Sequence, residues 1–239
     1  IGDVIHVNES TRLTVTQLTV VNGLINGITA SGNSQMTISN NIILENKENG
    51  ILLSAHSTTT VVGNTIFANL GHGISIQYPL IGTSPSATIK NNLTYANAEH
   101  GIFGYDFSSV TITNNTLASN GIDGVSLKND TGRSYTVWNN IAAFNQESGV
   151  VFWAQPADPE VLRYNLSHGN GFADWNVGFP DWPPPTNLTV DPQFVSADAG
   201  DFHLGTGSPA IGAGDPTLLD PDGSHSDMGA YGGPGACGL

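Results

Sequence analysis

The stretch VTITNNTLASNGIDGV, at residues 110–125, is one copy of a pattern that recurs along most of the chain. Each copy has an asparagine, a second asparagine five residues later, and then a glycine followed by an aliphatic residue. The first asparagines are Asn41, Asn64, Asn92, Asn115, Asn140 and Asn165, and the second are Asn46, Asn69, Asn97, Asn120, Asn145 and Asn170. The glycines are Gly27, Gly50, Gly73, Gly101, Gly124 and Gly149, at steps of 23, 23, 28, 23 and 25 residues. A period of this length indicates a solenoid.

Within each copy, apolar and polar residues alternate, and Val, Ile and Thr are common, as in Val110-Thr111-Ile112-Thr113. This pattern is typical of short β-strands, and the glycines and asparagines between them are typical of turns. Three strands and three turns fit one coil of about 23 residues, with coils stacked about 4.8 Å apart. Asparagines at constant register would then form a ladder of amide hydrogen bonds inside a turn, which is a structural role and not a catalytic one.

The blocks TISNN at 37–41, ATIKNN at 87–92 and VTITNN at 110–115 resemble the repeats of pectate-lyase-like proteins. The resemblance covers residues 13–170 and implies an all-β fold, a single-stranded right-handed parallel β-helix of about seven coils. We expect this solenoid at residues 1–172 and an irregular C-terminal capping tail, packed on it, at 173–239. The fold does not determine the function, because it is shared by lyases, hydrolases, epimerases, adhesins and phage tailspikes.

Composition limits the choice of partners. The 239 residues carry a formal charge of −14, which argues against binding to nucleic acid or to anionic membranes. The same charge weakens binding to polyanionic sugars unless calcium bridges the two. No apolar run is long enough to span a membrane, and the single cysteine, Cys237, excludes an intrachain disulfide. A surface rich in Ser, Thr, Asn and Gly is common in secreted proteins that handle polysaccharides.

The tail carries the blocks DPQF at 191–194, GDFHL at 200–204, GSPAI at 207–211 and DMGAYG at 227–232. In this order they resemble the choice-of-anchor Q tail of bacterial extracellular β-helix proteins. The resemblance implies an exported bacterial protein, extracellular or at the cell surface, and no particular activity. We expect the tail to cover the last open coil, because an uncovered coil exposes sheet edges.

Asp220, Asp222 and Asp227 lie in a D-x-D-G-x-x-x-D pattern whose oxygen ligands would suit calcium. The alternative is that these aspartates cap turns by accepting hydrogen bonds from backbone amides. Calcium is the only cofactor that the sequence suggests, and we expect no organic cofactor.

The repeat allows stacked columns to be derived from the sequence. The residue before each turn glycine is, in successive copies, Asn26, Asn49, His72, His100, Asp123 and Ser148. His72, His100 and Asp123 should therefore lie on consecutive coils, about 4.8 Å apart. A second column, with side chains pointing outward by strand alternation, holds Gln77, Tyr105, Lys128 and Trp153.

Aromatic rings that stack on sugars, beside charged groups that move protons, suit chemistry on a polysaccharide. The candidate catalytic residues are Asp123, His100, His72, Lys128 and Asp106, and the candidate substrate-binding residues are Tyr105, Trp153, Tyr78, Gln77 and Arg133. A hydrolase could use Asp123 with Asp106 or Glu99 as its two carboxylates. A lyase could use Lys128, Arg133 or His100 as base or cation.

The block GHGISI at 71–76 resembles a motif of polygalacturonases, but the paired aspartates of that family are absent here. Its mechanism therefore does not transfer to this chain. The alternative to an enzyme is a non-catalytic cell-surface structural or adhesion module, or a fragment similar to a phage tailspike. We expect a monomer rather than the homotrimer that would favour the tailspike interpretation.

Overall fold

The computed structural model describes residues 2–9, 12–77, 84–128, 134–153, 158, 161–177 and 183–236. Three parallel sheets run along the molecule, and successive strands of the chain belong to the three sheets in turn. The first sheet contains β1 (Ile5–Asn8), β4 (Ile28–Ser31), β7 (Ile51–Ser54), β10 (Ile74–Gln77), β13 (Ile102–Tyr105), β16 (Val125–Lys128), β19 (Ser148–Phe152) and β22 (Ala173–Asn176).

The second sheet contains β2 (Leu13–Thr16), β5 (Gln35–Ser39), β8 (Thr58–Val62), β11 (Ser86–Lys90), β14 (Ser109–Thr113), β17 (Ser134–Trp138) and β20 (Leu162–Arg163). The third contains β3 (Thr19–Val21), β6 (Ile42–Leu44), β9 (Thr65–Phe67), β12 (Leu93–Tyr95), β15 (Thr116–Ala118), β18 (Ile141–Ala143) and β21 (Leu166–His168). Coil 1 is β1 to β3, and coils 2 to 7 follow in the same way. The predicted solenoid of stacked three-strand coils is confirmed.

One continuous apolar core fills the solenoid, because the inward residues of each strand stack on those of the next coil. On the first sheet the register pairs Ile28 with Ile51, Ile51 with Ile74, and Ile74 with Ile102. These side chains are fully buried. Burial of such side chains contributes about 1.5–3 kcal/mol each, and in a solenoid that gain exists only when neighbouring coils are stacked.

The predicted asparagine ladders are confirmed. In the first ladder, both the backbone N–H and the side-chain amide of Asn41 donate to Oδ1 of Asn64, at 3.0 and 2.9 Å, and each later coil repeats the arrangement. This ladder extends one step beyond the sequence repeat, because Asn165 donates in the same way to Asn187. The second ladder ends with an aspartate, since Asn170 donates to Oδ1 of Asp174.

The solenoid continues slightly past the boundary expected at residue 172, because β22 still pairs with β19 in the first sheet. The tail then adds one partial rung to the last coil, where the Leu188 N–H donates to the carbonyl of Asn165 at 2.7 Å. Beyond this rung lie β23 (Phe194–Ser196), a short 3-10 helix (Ala197–Ala199) and β24 (Asp201–Leu204), with β23 and β24 antiparallel.

The rest of the tail packs against the outer face of the third sheet rather than over the end of the solenoid. Phe202 and Ala230 are buried with Leu93 and Ala118, and the tail residues Ala210 and Met228 are buried against coils 6 and 7. Side-chain amides of the solenoid hold its backbone: Asn91 donates to the carbonyls of Ala230 and Gly232, and Asn114 to that of Asp227. The tail therefore runs back along coils 7 to 4. No helix in the described part of the chain is long and apolar enough to cross a membrane.

Candidate functional site

His72, His100 and Asp123 stack on consecutive coils at the start of first-sheet strands, as predicted. The His72 and His100 ring centroids are 5.1 Å apart, and the ring of Phe103 stacks on both, at 4.7 and 5.2 Å. The backbone explains the alignment, because each side chain in this column accepts the N–H of the residue one coil later. Asn49 Oδ1 accepts the His72 N–H at 3.1 Å, and His72 Nδ1 accepts the His100 N–H at 3.4 Å.

Each histidine also contacts a carboxylate through the same ring nitrogen. His72 Nδ1 lies 3.1 Å from Glu99 Oε2, and His100 Nδ1 lies 3.2 Å from Asp123 Oδ2. Burial, and then the neighbouring charge of His100, lowers the pKa of His72 to about 3. His72 is therefore neutral at neutral pH, where Nδ1 serves as the acceptor for the backbone and the Glu99 contact is not an ion pair.

Asp123 is 5% exposed and uses both carboxylate oxygens within the protein. Its Oδ1 accepts the Ser148 N–H at 2.9 Å, while Oδ2 faces His100. This arrangement suits an aspartate that orients a histidine better than one that attacks a substrate. Asp106 lies at the turn after β13 in a left-handed conformation, with a φ of 54°, and donates its N–H to the carbonyl of Lys128 at 3.2 Å.

The second predicted column faces outward. Gln77 pairs in register with Tyr105, and Tyr105 with Lys128. Lys128 is exposed, Tyr105 is 41% exposed and Trp153 is 64% exposed. Lys128 Nζ lies 5.5 Å from the centroids of both rings, so the cation sits between two aromatic faces. Trp153 is held by a hydrogen bond from its Nε1 to Ser126 Oγ at 3.2 Å.

Two predicted site residues, Tyr78 and Arg133, lie outside the described residues. Sequence reasoning did not single out Phe103, which joins the two histidine rings into one cluster. Its outward position could have been predicted from the sequence, because Phe103 alternates with the inward residues Ile102 and Gly104 and shares a coil with His100. The contact between Glu99 and His72 could not have been predicted from the sequence, since it depends on side-chain conformation.

The three tail aspartates accept hydrogen bonds from backbone amides. Asp220 accepts from Asp227 and Gly233, Asp222 Oδ1 accepts the Ser224 N–H at 2.9 Å, and Asp227 Oδ1 accepts the Gly212 N–H at 2.7 Å. These are the bonds of turn-capping aspartates. No group of three or more His, Cys, Asp or Glu side chains among the described residues is arranged to hold a metal ion.

The aspartates nevertheless lie close together, around a surface pocket of about 390 Å³ that His203 and Tyr231 also line. Burial, and then the charges of Asp220 and Asp222, raises the pKa of Asp227. A cation would relieve this repulsion, but the loop would have to exchange backbone partners for the ion. Calcium binding here therefore stays a prediction.

Two solved structures align with this chain. "Crystal structure of pectate lyase Pel9A" aligns with a TM-score of 0.57 and 15% identity, covering 91% of this chain and 72% of that chain. The "Azotobacter vinelandii Mannuronan C-5 epimerase AlgE6 A-module" aligns with a TM-score of 0.43 and 15% identity, covering 72% of this chain and 59% of that chain. No curated protein matches the chain. At 15% identity, the alignment with the pectate lyase structure shows a shared fold and no shared chemistry.

A family model decides the classification. The model described as "Right handed beta helix region" matches residues 1–142 and 81–178, which together span most of the sequence. These residues are the ones that form the three parallel sheets. The chain belongs to the right-handed β-helix family.

Proposed function

We propose that this protein binds a polysaccharide along the outer face of the first sheet, across coils 4 to 7. The observation that carries the proposal is the exposed column in which Lys128 lies between the rings of Tyr105 and Trp153. Aromatic rings bind the apolar faces of sugars, and rings two coils apart would contact successive parts of one extended chain. Gln77 adds an amide at the next position of the column.

A polysaccharide partner agrees with the nature of the pectate lyase that shares this fold, whose name describes action on a polysaccharide. The charge of −14 narrows the class further, because it disfavours polyanionic chains unless a cation bridges them. We therefore expect neutral polysaccharides to bind more tightly than acidic ones when calcium is absent. The composition and the tail motifs support a location outside the cell or at its surface, in a bacterium.

Catalysis is the second candidate, and the contact between His100 and Asp123 favours it. When Nδ1 carries the ring proton and donates it to this carboxylate, 3.2 Å away, the other ring nitrogen is free to act as a general base. The ring is mostly buried and stacks on Phe103, which is the next outward side chain to Tyr105 on the same strand, so a bound sugar chain would pass beside this cluster. In this candidate Asp123 is a positioning residue, and the reaction is hydrolysis, elimination or epimerisation of the glycan.

The binding proposal is tested by affinity electrophoresis and calorimetry against a panel of neutral and acidic polysaccharides, with and without calcium. Trp153→Ala and Tyr105→Ala should each weaken binding about tenfold, equivalent to about 1.4 kcal/mol. Phe67→Ala is the matched control, because Phe67 stacks on Tyr95 on the third sheet, away from this face. No binding by the wild-type protein to any member of the panel, or equal losses in all three variants, would overturn the proposal.

A further inference from the structure

The outer face of the second sheet carries a column of threonines. The register pairs Thr14 with Thr37 and continues without interruption through coil 6, so that six consecutive coils each supply one threonine: Thr14, Thr37, Thr60, Thr88, Thr111 and Thr136. Their neighbours along each strand, such as Val61 and Ile89, point into the core and are fully buried. The threonines therefore project from the opposite face.

Polar, mostly uncharged columns flank the threonines on both sides. Two residues before them the register aligns Gln35, Thr58, Ser86, Ser109 and Ser134. Two residues after them it aligns Thr16, Ser39, Val62, Lys90, Thr113 and Trp138. Since strands are about 4.8 Å apart and two residues span about 6.6 Å, the threonines and the column before them present hydroxyl groups in two parallel rows. The column after them is interrupted by Val62, Lys90 and Trp138.

Within the described part of the chain, the threonine hydroxyls serve no internal hydrogen bond. Among the described residues, none of the six makes a hydrogen bond to another protein atom, although Ser39 and Thr16 bond to each other at the edge of the array. A β-branched side chain suits a strand, but valine would serve as well, and Val62 occupies such an outward position. The surface of this face is also not filled by side chains, because depressions of about 370 and 110 Å³ lie between the threonine rows.

We infer that this face binds an ordered lattice of water, the surface of ice. Rows of oxygen atoms in hexagonal ice have repeats close to the spacing of these strands and of alternate residues along them. Each threonine offers a hydroxyl that can join the lattice and a methyl group that can fill a space in it. The rigid sheet holds these groups in place before contact, which lowers the entropic cost of binding.

Other partners fit this face less well. The six threonines carry neither a charge nor an aromatic ring that would stack on a sugar, in contrast to the column of Tyr105, Lys128 and Trp153 on the first sheet. The charged side chains of Arg12 and Lys90 lie at the two sides of the threonine column. The side chains are short, so they offer little apolar area to a protein partner. Regularity over six coils is what distinguishes the array, and only a periodic partner uses all of it at once.

The test is the inhibition of ice growth by the full chain, measured as thermal hysteresis and as inhibition of ice recrystallisation. The wild-type protein should show both effects. Thr88→Lys combined with Thr111→Lys should reduce them at least tenfold, because two long cations at the centre break the lattice. Thr88→Val combined with Thr111→Val removes only the hydroxyls and serves as the second variant, since its shape is nearly unchanged.

Trp153→Ala is the control, because it removes a side chain from the polysaccharide face and should leave ice growth inhibition intact. Circular dichroism and melting temperature verify that each variant is folded. A wild-type protein without either effect would overturn the inference, as would a folded lysine variant that keeps full inhibition. If the threonine variants instead lose binding to polysaccharide and ice growth is never affected, the face belongs to the glycan and the inference fails.

Discussion

His100 Nδ1 lies 3.2 Å from two atoms of Asp123, the backbone nitrogen and the carboxylate Oδ2. One ring nitrogen cannot serve both at once. Without a proton it accepts the Asp123 N–H, and with a proton it donates to the carboxylate and leaves that N–H without its acceptor. The stacking of the coils and the position of the ring proton are therefore linked through one atom.

Two substitutions distinguish the roles of the two carboxylate oxygens of Asp123. Asp123→Ala removes the acceptor of the buried Ser148 N–H and should cost about 1–3 kcal/mol of unfolding free energy. Asp123→Asn should cost less than about 1 kcal/mol, because an amide oxygen fills this role earlier in the same column, where Asn26 accepts the Asn49 N–H. Urea denaturation measures both, and an asparagine variant as unstable as the alanine variant would contradict this account.

The same Asp123→Asn variant tests catalysis. If His100 is a general base oriented by the carboxylate, this variant and His100→Ala should both lose turnover while the melting temperature of Asp123→Asn stays near that of the wild type. Release of reducing ends and formation of an unsaturated product, measured in parallel, distinguish hydrolysis from elimination. Full activity in the asparagine variant would remove Asp123 from the mechanism.

His72 makes stability depend on pH. Its folded pKa, about 3, is below the ordinary value of 6.5, so the unfolded chain binds a proton that the folded protein excludes. Stability is complete above about pH 6.5 and falls as the pH drops toward 3, with a loss of about 2 kcal/mol between pH 7 and pH 5. His72→Asn keeps an acceptor for the His100 N–H and should flatten this dependence. Equal pH dependence in both proteins would show that His72 is not the group responsible.

Inner members of the asparagine ladder should be the most sensitive positions of the solenoid. Asn115 accepts from Asn92 and donates to Asn140 and to the carbonyl of Ile89, all of them buried. Asn115→Ala leaves several of these groups unpaired and should cost about 3 kcal/mol or more. Asn33→Ala, at an exposed turn, should cost less than about 0.5 kcal/mol. Similar losses at both positions would refute the ladder as a source of stability.

Calcium in the tail is tested by chelation. If Asp220, Asp222 and Asp227 take up the ion, EDTA should lower the melting temperature of the wild-type protein, and Asp222→Ala should remove this response. Differential scanning calorimetry with added calcium and with EDTA provides the measurement. An unchanged melting temperature on chelation would leave the aspartates as turn caps, the role their present hydrogen bonds describe.

The repeat made the solenoid and its columns predictable, because constant spacing places His72 next to His100, and Tyr105 next to Lys128, whatever the side chains do. The ends of the asparagine ladders could not be predicted from the repeat. Asn187 and Asp174 continue them from segments that lack the repeat, and only the path of the backbone brings them into register. The path of the tail along the third sheet could not be predicted either, because the sequence does not indicate which surface will bury apolar residues such as Phe202.

Among the described residues, the tail covers the third sheet over coils 4 to 7. It is held by asparagine amides from coils 4 and 5 and packs on coils 4 to 7, while coils 1 to 3 have stacking as their support, with Leu18 and Ile42 exposed there. A stack of coils loses order from its weakest end, since each coil contacts only its neighbours. Coils 4 to 7 should therefore keep their order to a higher temperature than coils 1 to 3, so that the polysaccharide face lies within the half of the molecule that melts last.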